Sequence, residues 1–243
     1  MDKTKKQKGG ARNIVRQDDK WGDMRDATHK LRMAIGFRAA KEEWKKANAH
    51  FTTHALRILG HPVMEDWETP YMRELARIAS SRGGTVLEVG FGMGISAQFI
   101  QQSKIKHHII IEMNANVAER ARAFAKRAKH PVSVLEGLWE EVIETIPDNS
   151  LDGILFDTYP LSEPEIHKNH FFFFKSAYKK LKPGGVFTYY SDEMRTLHPR
   201  HLAKLLEAGF KKRGIDSVVV SIHPPENCEY WKSNTILAPI VVK

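Results

Sequence analysis

The stretch TVLEVGFGMGISAQFIQQ, residues 85–102, predicts a β-strand that runs through a glycine-rich turn into a helix. Helix-like stretches such as residues 116–129 and 163–182 follow it. They alternate with short apolar, β-branched stretches at residues 107–113, 132–137, 151–157 and 186–190. Near-continuous apolar runs of this length are typical of strands buried on both faces of a parallel sheet. The alternation therefore predicts a doubly wound α/β fold with right-handed crossovers.

The end of the chain follows a different pattern. DSVVVSI (216–222) and NTILAPIVVK (234–243) are both strand-like, and no helical pattern separates them. We therefore expect an antiparallel pair of strands at one edge of the sheet.

Length and composition fit one α/β domain, with or without an appendage. The 243 residues are 42% hydrophobic with a mean hydropathy of −0.44, which excludes wholesale disorder. The single cysteine, Cys228, cannot form an internal disulfide. No apolar run is long enough to span a bilayer, and no apolar core follows the N-terminal lysines. We expect a cytoplasmic protein that does not contact membranes.

The net charge of +9 is concentrated near the N-terminus. Residues 1–50 carry 14 lysines and arginines against 7 acidic residues, whereas the remaining 193 residues carry 24 against 22. We interpret residues 1–20 as a basic, disordered tail, residues 21–62 as an amphipathic helical lid, and residues 63–243 as the catalytic domain. A solvated tail is favoured over nucleic-acid binding, because the body of the protein is nearly neutral.

The glycine turn GFGMG, residues 90–94, predicts a cofactor site. Glycines let the backbone approach a ligand closely and direct the amides of a helix N-terminus at it. Glu112 follows about 20 residues later, at the end of the second strand, where it can accept both hydroxyls of a ribose. A dinucleotide and S-adenosylmethionine both fit this pattern.

Three observations favour S-adenosylmethionine. The glycines are spaced as GxGxG after an acidic residue, rather than as the GxGxxG typical of pyrophosphate binding. Glu88 would repel a pyrophosphate but could meet a cationic ammonium. GLWE (137–140) offers an aromatic face, Trp139, and a polar edge for an adenine. Each residue also has a plain interpretation, Glu88 as a paired carboxylate at a strand end and Trp139 as a packing aromatic.

The fourth predicted strand ends in FDTYP, which places Asp157 at the edge of the sheet where ligands bind. The turn lacks the paired prolines of enzymes that methylate nucleobase amines. A fixed carboxylate beside a sulfonium methyl donor suits a cationic acceptor. A guanidinium is the best candidate, because its planar fork matches a carboxylate bidentately.

Several segments together resemble the guanidinoacetate N-methyltransferase family, from about residue 54 to the C-terminus. They are LRILGHPVMEDWETPYM (56–72), VLEVGFGMG (86–94), GLWE (137–140), DTYPLSE (157–163), LKPGGVFTYY (181–190) and LLEAGF (205–210). The resemblance implies a class I methyltransferase that converts S-adenosylmethionine to S-adenosylhomocysteine. It also implies a seven-stranded, mostly parallel sheet with an antiparallel last strand, helices on both faces and an N-terminal helical lid.

The resemblance implies roles for individual residues. Glu68 and Asp157 would hold the guanidinium between them, and Trp44 would close over the ligands. From their positions in and just after DTYPLSE, we also assign Tyr159 and His167 to the substrate site, with His167 polarising the substrate. The turn and the resemblance together assign to the cofactor Met64, Met72, Glu88, Gly90, Phe91, Gly92, Met93, Gly94, Ile95, Ser96, Glu112, Met113, Asn114, Gly137, Leu138, Trp139, Glu140 and Asp157.

One departure from the family leaves the substrate open. Asp192 and Glu193 occupy the places of a Leu-Thr pair whose backbone receives the substrate carboxylate in the family. Two neighbouring carboxylates would oppose an acid there, although Arg195 or Arg200 could restore an anion site. Guanidinoacetate and a larger or more cationic guanidino compound therefore both stay open.

Two other functions compete with a small-molecule guanidino methyltransferase. One is an arginine δ-N-methyltransferase acting on protein, and the other is a nucleic-acid-modifying enzyme that uses the basic N-terminus. We expect no metal site, because the histidines show no spacing typical of metal ligands. Monomer and homodimer both remain possible.

Overall fold

The computed structural model describes residues 30, 34–36 and 40–243. The predicted basic tail, residues 1–20, lies outside the described residues, as does most of the segment before residue 40. The helices in the described part are α1 (Lys41–Lys46), α2 (Thr69–Ala79), α3 (Ile95–Gln102), α4 (Ala115–Ala125), α5 (Trp139–Val142), α6 (Asn169–Lys180) and α7 (Pro199–Ala208). The strands are β1 (Ala49–Phe51), β2 (Ala55–Ile58), β3 (His61–Glu65), β4 (Thr85–Val89), β5 (His107–Glu112), β6 (Val132–Glu136), β7 (Leu151–Phe156), β8 (Leu181–Tyr189), β9 (Ile215–Ser221) and β10 (Thr235–Val242).

A seven-stranded sheet forms the centre of the fold. Its strand order is β6-β5-β4-β7-β8-β10-β9. Strands β4 to β8 pair in parallel, and β10 is antiparallel to both of its neighbours. The predicted α/β fold and the antiparallel pair at one edge are therefore confirmed.

Helices cover both faces of this sheet because each central strand is apolar on both sides. Val86 and Leu155 belong to the core cluster that includes residues of α2, α3 and α4. The next residue along β4, Leu87, belongs to the opposite cluster, together with Ile154 and residues of α6 and α7. This alternation follows from the two-residue period of a strand.

From residue 40 onward, the N-terminal segment is only partly helical. Beyond α1, the stretches 49–51, 55–58 and 61–65 form a small antiparallel sheet in the order β1-β2-β3, so the helical prediction is wrong there. Leu56 and Ile58 are buried on either side of Arg57, which is the period of a strand. Leu59 and Gly60 connect β2 to β3 with φ angles of 51° and 83°, typical of a tight hairpin turn.

A long connection follows β7. The predicted helix over residues 163–182 begins only at Asn169 and ends at Lys180, while β8 already starts at Leu181. Residues 157–168 contain one short 3-10 helix, Glu163–Glu165. This connection leaves the carboxyl edge of the sheet, and it carries Asp157 and Tyr159 with it. In the described part of the chain, no helix has the length and apolar character needed to cross a membrane.

Candidate active site

A cavity of about 420 Å³ lies at the carboxyl ends of β4, β5 and β7, where ligands bind in open α/β sheets. Its volume is within the range of pockets for small molecules and cofactors. Of the residues predicted to bind the cofactor, its wall includes Met64, Gly90, Gly92, Glu112, Met113, Asn114, Gly137, Leu138, Trp139, Glu140 and Asp157. The structure thus brings most of the predicted set around one cavity.

The glycine turn requires the absence of side chains. Gly90 has a φ of +93°, and a Cβ on it would lie 1.9 Å from the carbonyl oxygen of Asp157. Gly92 has a φ of +53°, and its Cβ would lie 2.9 Å from Met64 Sδ. A larger residue at either position would fill the cavity wall and strain the backbone.

The Glu112 carboxylate is fixed at the cavity wall. Phe91 N donates to Oε2 at 2.9 Å, and Asn114 N donates to Oε1 at 2.9 Å. Burial raises the pKa of Glu112, and these backbone donors oppose the rise. An ionised carboxylate only accepts hydrogen bonds, so its position fits the two hydroxyls of a ribose.

Glu88 lies outside the cavity wall. Ser96 Oγ donates to Glu88 Oε1, and His108 Nε2 lies 3.0 Å from Oε2. The residue is fully buried. Its predicted contact with an ammonium group therefore gains no support, and we interpret Glu88 as an anchor for the start of α3.

Six further residues assigned to the cofactor also lie outside this wall: Met72, Phe91, Met93, Gly94, Ile95 and Ser96. Met72 is fully buried in the core. The Phe91 ring packs against Phe124 with centroids 5.6 Å apart, and Met93 N donates to Met64 Sδ at 3.3 Å. We interpret Met72 as a core residue, and the residues of the turn and of the start of α3 as support for the shape of the turn.

Trp139 fits both interpretations given for it, as a packing aromatic and as an aromatic face for an adenine. Its ring packs edge-on against Phe173, with centroids 5.1 Å apart, and against Phe156 at 6.1 Å. The same residue lines the cavity. Two neighbouring aromatic rings thus fix an indole in the cavity wall, where it can border an adenine.

A second, smaller hollow of about 50 Å³ adjoins the cavity. The two share the wall residues Val63, Asp157, Thr158, Tyr159 and Asn169. Glu68, Asp157 and Asp192 all line the hollow, together with Tyr190, Tyr230, Trp231, Phe156 and two prolines. The two carboxylates predicted to grip a guanidinium therefore face one hollow beside the cofactor cavity.

Glu68 is almost completely buried, with 3% of its surface exposed. Its Oε1 accepts hydrogen bonds from Tyr230 OH at 2.6 Å and from Glu65 N at 3.0 Å. Burial raises the pKa of Glu68 to about 7, although the hydrogen bond from Tyr230 opposes the rise. A cation bound in the hollow would favour the ionised form.

Asp157 stands at the end of β7, where its backbone N–H donates to Val89 O at 2.9 Å. Burial raises the pKa of its carboxyl well above the usual value of 3.8, and the nearby carboxylates of Glu68, Glu88 and Asp192 raise it further. Repulsion among these acids means that a bound cation would be strongly favoured here.

Asp192 and Glu193 point to different surroundings. Asp192 lines the hollow, and its Oδ2 lies 3.0 Å from His167 Nδ1. Glu193 is buried, and its Oε1 lies 3.0 Å from His201 Nε2. Glu193 does not line the hollow. His167 therefore contacts Asp192 in the wall of the substrate site, whereas Glu193 forms a buried pair with His201.

The helix α1 supplies an aromatic cover for the cavity. Trp44 lines the cavity, and its ring stacks on Tyr159 with centroids 5.6 Å apart. His61 Nδ1 lies 3.0 Å from Tyr159 OH. Asn114 Nδ2 donates to Trp44 O at 2.8 Å. Trp44 thus connects the N-terminal segment with the turn that carries Asp157.

Ion pairs add to this connection on the outside. Lys41 Nζ lies 3.1 Å from Glu140 Oε1 and 3.9 Å from Glu165 Oε1. Lys45 Nζ lies 3.0 Å from Glu141 Oε1. These pairs join α1 to α5 and to the connection after β7.

Several residues of the hollow were not predicted from the sequence. Tyr190 follows directly after β8, so the rule that ligands bind at the carboxyl ends of strands could have identified it. Asn169 Nδ2 donates to Thr158 O at 2.5 Å and fixes the turn after Asp157. Tyr230 and Trp231 lie in a stretch without a recognisable motif, and Tyr230 reaches Glu68 across 162 positions of sequence.

Residues 36–243 match the family model described as "Guanidinoacetate N-methyltransferase". This match covers most of the chain. The chain belongs to the guanidinoacetate N-methyltransferase family. The resemblance seen in the sequence is thereby confirmed at the level of the family and of a class I methyltransferase.

Curated relatives of this member of the guanidinoacetate N-methyltransferase family include proteins named protein arginine N-methyltransferase 2. The protein from Kluyveromyces lactis is 32% identical over 136 residues, and the protein from Saccharomyces cerevisiae is 32% identical over 138 residues. Both matches cover 53% of this chain and 32% of the relative. The chain thus spans about a third of the length of these relatives.

Solved structures support the same fold. A spermidine synthase in complex with the transition state analogue AdoDATO aligns with a TM-score of 0.57 and 14% identity, covering 80% of this chain and 72% of that one. TYW2 of M. jannaschii in complex with AdoMet aligns with a TM-score of 0.52 and 17% identity, covering 82% and 85%. At such identities the likeness shows the fold alone.

The guanidinoacetate N-methyltransferase family implies S-adenosylmethionine as cofactor, and the cavity fits it. The glycine turn leaves room for close approach, Glu112 offers a fixed acceptor, and Trp139 offers an aromatic face. Within the described residues, no group of three or more histidine, cysteine or acidic side chains could hold a metal ion.

Proposed function

We propose that this protein methylates a nitrogen of the guanidino group of a small molecule, either guanidinoacetate in a creatine-forming reaction or a related guanidino compound. One observation carries the proposal. The carboxylates of Glu68 and Asp157 face a single hollow that shares its wall with the cofactor cavity.

The chemistry of the hollow suits a guanidinium. A guanidinium is planar, always charged and weakly hydrated, so it is well suited to a buried ion pair. Two carboxylates can accept from its N–H groups, and the repulsion that raises the pKa of Asp157 is relieved when a cation binds between them. The volume of about 50 Å³ would hold a small planar group but not a bulky one.

Proton removal is the main chemical difficulty. The pKa of a guanidinium is about 13.8 and that of an ordinary carboxyl is about 4, so full prior deprotonation would cost on the order of 13 kcal/mol. We therefore assign Asp157 to accept the proton while the new C–N bond forms. Its raised pKa makes it a stronger base than an exposed aspartate.

The other residues bind and orient. Glu68 keeps the remaining guanidinium charge in place, while Trp44 and Tyr159 cover the site and exclude water. Glu112 and Trp139 would hold the ribose and the adenine of S-adenosylmethionine, which supplies an activated methyl group on a sulfonium. Fixing the acceptor nitrogen beside the donor provides much of the rate enhancement.

A second candidate is methylation of arginine in a protein. The relatives named protein arginine N-methyltransferase 2 favour it, since they are 32% identical over the matched segment. An arginine side chain ends in the same guanidinium, so Glu68 and Asp157 would act alike on both acceptors. This second candidate is supported only by a match that covers about a third of the length of each relative. The rest of each relative has no counterpart in the match.

The decisive experiment offers labelled S-adenosylmethionine with a panel of acceptors to the full chain. The panel contains guanidinoacetate, arginine, agmatine, an arginine-rich protein and an RNA, and Asp157→Asn serves as the inactive control. Label on a small guanidino compound would support the proposal. Label only on protein would favour the second candidate, and label only on RNA would refute both.

A further inference from the structure

The carboxylate of Glu68 is held by donors from two different parts of the chain. Tyr230 OH donates to its Oε1 at 2.6 Å, and the backbone N–H of Glu65 donates to the same oxygen at 3.0 Å. The backbone donor is local, whereas the hydroxyl comes from the connection between β9 and β10, 162 positions away. Two donors on one oxygen restrict the rotation of the carboxylate.

Tyr230 is positioned by contacts of its own loop. Its ring packs against Trp67 with centroids 5.6 Å apart, and Trp67 Nε1 donates to Glu65 Oε2 at 2.7 Å. The preceding residue, Glu229, accepts from Arg57 Nη2 at 2.9 Å, and this pair joins the loop to β2. The hydroxyl therefore reaches the hollow from an anchored loop.

The hydrogen bond from Tyr230 favours a negative charge on Glu68. Its length of 2.6 Å is typical of a hydroxyl that donates to an ionised carboxylate, for which about 2.5–2.7 Å is usual. Burial raises the pKa of Tyr230, and the charge of Glu68 raises it further, so the hydroxyl stays protonated and can donate. A hydrogen bond to the charged form of an acid stabilises that form.

Burial acts on Glu68 in the opposite direction. It raises the pKa of this carboxyl to about 7, and the hydrogen bond from Tyr230 is the largest influence that opposes the rise. A protonated Glu68 lacks the charge that attracts a guanidinium, so this balance determines how much of the protein can bind such an acceptor near neutral pH. Tyr190 makes a smaller contribution of the same sign as Tyr230. The other ionisable groups around Glu68 include Glu65, Asp157, Cys228 and, in the wall of the same hollow, Asp192.

We infer that Tyr230 is a positioning residue of the proposed methyl transfer, and that its hydroxyl keeps the Glu68 carboxylate ionised and oriented to accept from a guanidinium. This inference rests on the proposed guanidino methyltransferase activity. It explains how an acid that is almost completely buried can serve as an anion near neutral pH. It also gives a role in the reaction to a residue that no sequence motif identifies.

The variant Tyr230→Phe tests this role, because it keeps the ring and removes only the hydroxyl. Without this donor Glu68 should ionise at higher pH, so the midpoint of the rise in kcat/KM should move up by about one pH unit. We therefore expect kcat/KM at pH 6 to fall about tenfold, and at pH 9 to stay within about threefold of the unaltered protein. Guanidinoacetate and agmatine serve as acceptors.

Tyr178→Phe is the matched control. It removes a hydroxyl from α6 at a position that lines neither the cavity nor the hollow, so the midpoint should not change. If Tyr230→Phe lowers kcat/KM by the same factor at every pH, the hydroxyl contacts the substrate or supports the fold, and the inference is overturned. A profile identical to that of the unaltered protein would overturn it as well.

A measurement without substrate separates this inference from the proposed function. In protein labelled with carbon-13 at the glutamate carboxyl groups, NMR follows the titration of Glu68, whose signal is the one absent from Glu68→Gln. We expect a higher midpoint for this signal in Tyr230→Phe, and equal midpoints would overturn the inference even in an active enzyme. If the midpoint moves but the unaltered protein methylates no guanidino compound, the proposed function fails, and the role of Tyr230 in the reaction fails with it.

Discussion

The backbone of Gly90 packs directly against the carbonyl group of Asp157. A Cβ at Gly90 would lie 1.9 Å from Asp157 O, and the backbone N–H of Asp157 donates to Val89 O at 2.9 Å. The turn that shapes the cofactor cavity and the carboxylate proposed as the base are therefore positioned by one contact between β4 and β7. A change that displaces the backbone on either side of this contact should affect both functions.

Gly90→Ala tests this contact. We expect a loss of free energy of unfolding of several kcal/mol and a loss of S-adenosylmethionine affinity, because the methyl group must displace the Asp157 backbone. Gly184→Ala is the matched control, since Gly184 also has a positive φ, +80°, but has no atom within 4 Å of the added Cβ. It should cost only about 1 kcal/mol. The free energy of unfolding is measured by urea unfolding and the cofactor affinity by calorimetry. Similar losses in both variants would show that backbone strain, and not the contact with Asp157, causes the effect.

Asp157→Asn should abolish turnover but retain the cofactor. The substitution preserves the shape of the side chain and removes the proton acceptor, so we expect kcat to fall by about 10³-fold. Affinity for S-adenosylmethionine, measured by calorimetry, should stay within about twofold because the charge of Asp157 faces the substrate. Normal turnover in this variant would rule out the role of Asp157 as base.

The pH dependence of activity should reflect the acidic hollow. Since burial raises the pKa of Glu68 to about 7, kcat/KM for a guanidinium substrate should rise with pH through about 7 as the carboxylates ionise. Glu68→Gln removes the group that titrates near pH 7 and also one neighbouring charge that raises the pKa of Asp157, so the midpoint of the rise should change. An unchanged midpoint in steady-state profiles of this variant would contradict the electrostatic coupling of the two acids.

Stability should fall with pH over the same range. The pKa of Glu68 is raised from 4.5 to about 7 on folding, so the folded state holds this proton more tightly than the unfolded state. Its contribution is greatest below pH 4.5 and is lost by about pH 7, a change of about 3 kcal/mol at most. Urea unfolding at several pH values should show a smaller decline in Glu68→Gln than in the unaltered protein.

Trp44→Ala tests the aromatic cover. Loss of the stack on Tyr159 opens the cavity, so we expect KM for S-adenosylmethionine to rise about tenfold. Trp44→Phe retains an aromatic ring and should lose much less affinity. If steady-state kinetics show the same KM in both variants and in the unaltered protein, Trp44 serves only the fold.

The sequence was informative where a local pattern determines structure. The strands of the central sheet could be predicted because each is a short apolar run beside a turn, and the order of motifs placed Gly90, Glu112 and Asp157 at one edge. The small sheet of residues 49–65 was missed because Leu56, Ile58 and Leu59 also fit a helical spacing. The turn at Leu59 and Gly60, which only the structure reveals, decides between the two.

The assignments of Glu88 and Glu193 depended on contacts between distant residues. A sequence shows that a carboxylate ends a strand, but not that His108 or His201 lies beside it. The same reason explains why Tyr230 was missed, since its hydrogen bond to Glu68 joins the two ends of the catalytic region. Pairing of buried polar groups is determined by the tertiary fold, and it decides which acids remain available to a ligand.

The ion pairs of Lys41 and Lys45 make the outer edge of the aromatic cover sensitive to salt. Exposed pairs of this kind contribute little individually to stability, and salt screens them. Trp44 is held over the cavity by its stack on Tyr159, by the hydrogen bond from Asn114 to its carbonyl and, at the surface, by these ion pairs of α1. Raising the ionic strength therefore weakens the outer edge of this cover, while the stack on Tyr159 and the hydrogen bond from Asn114 remain.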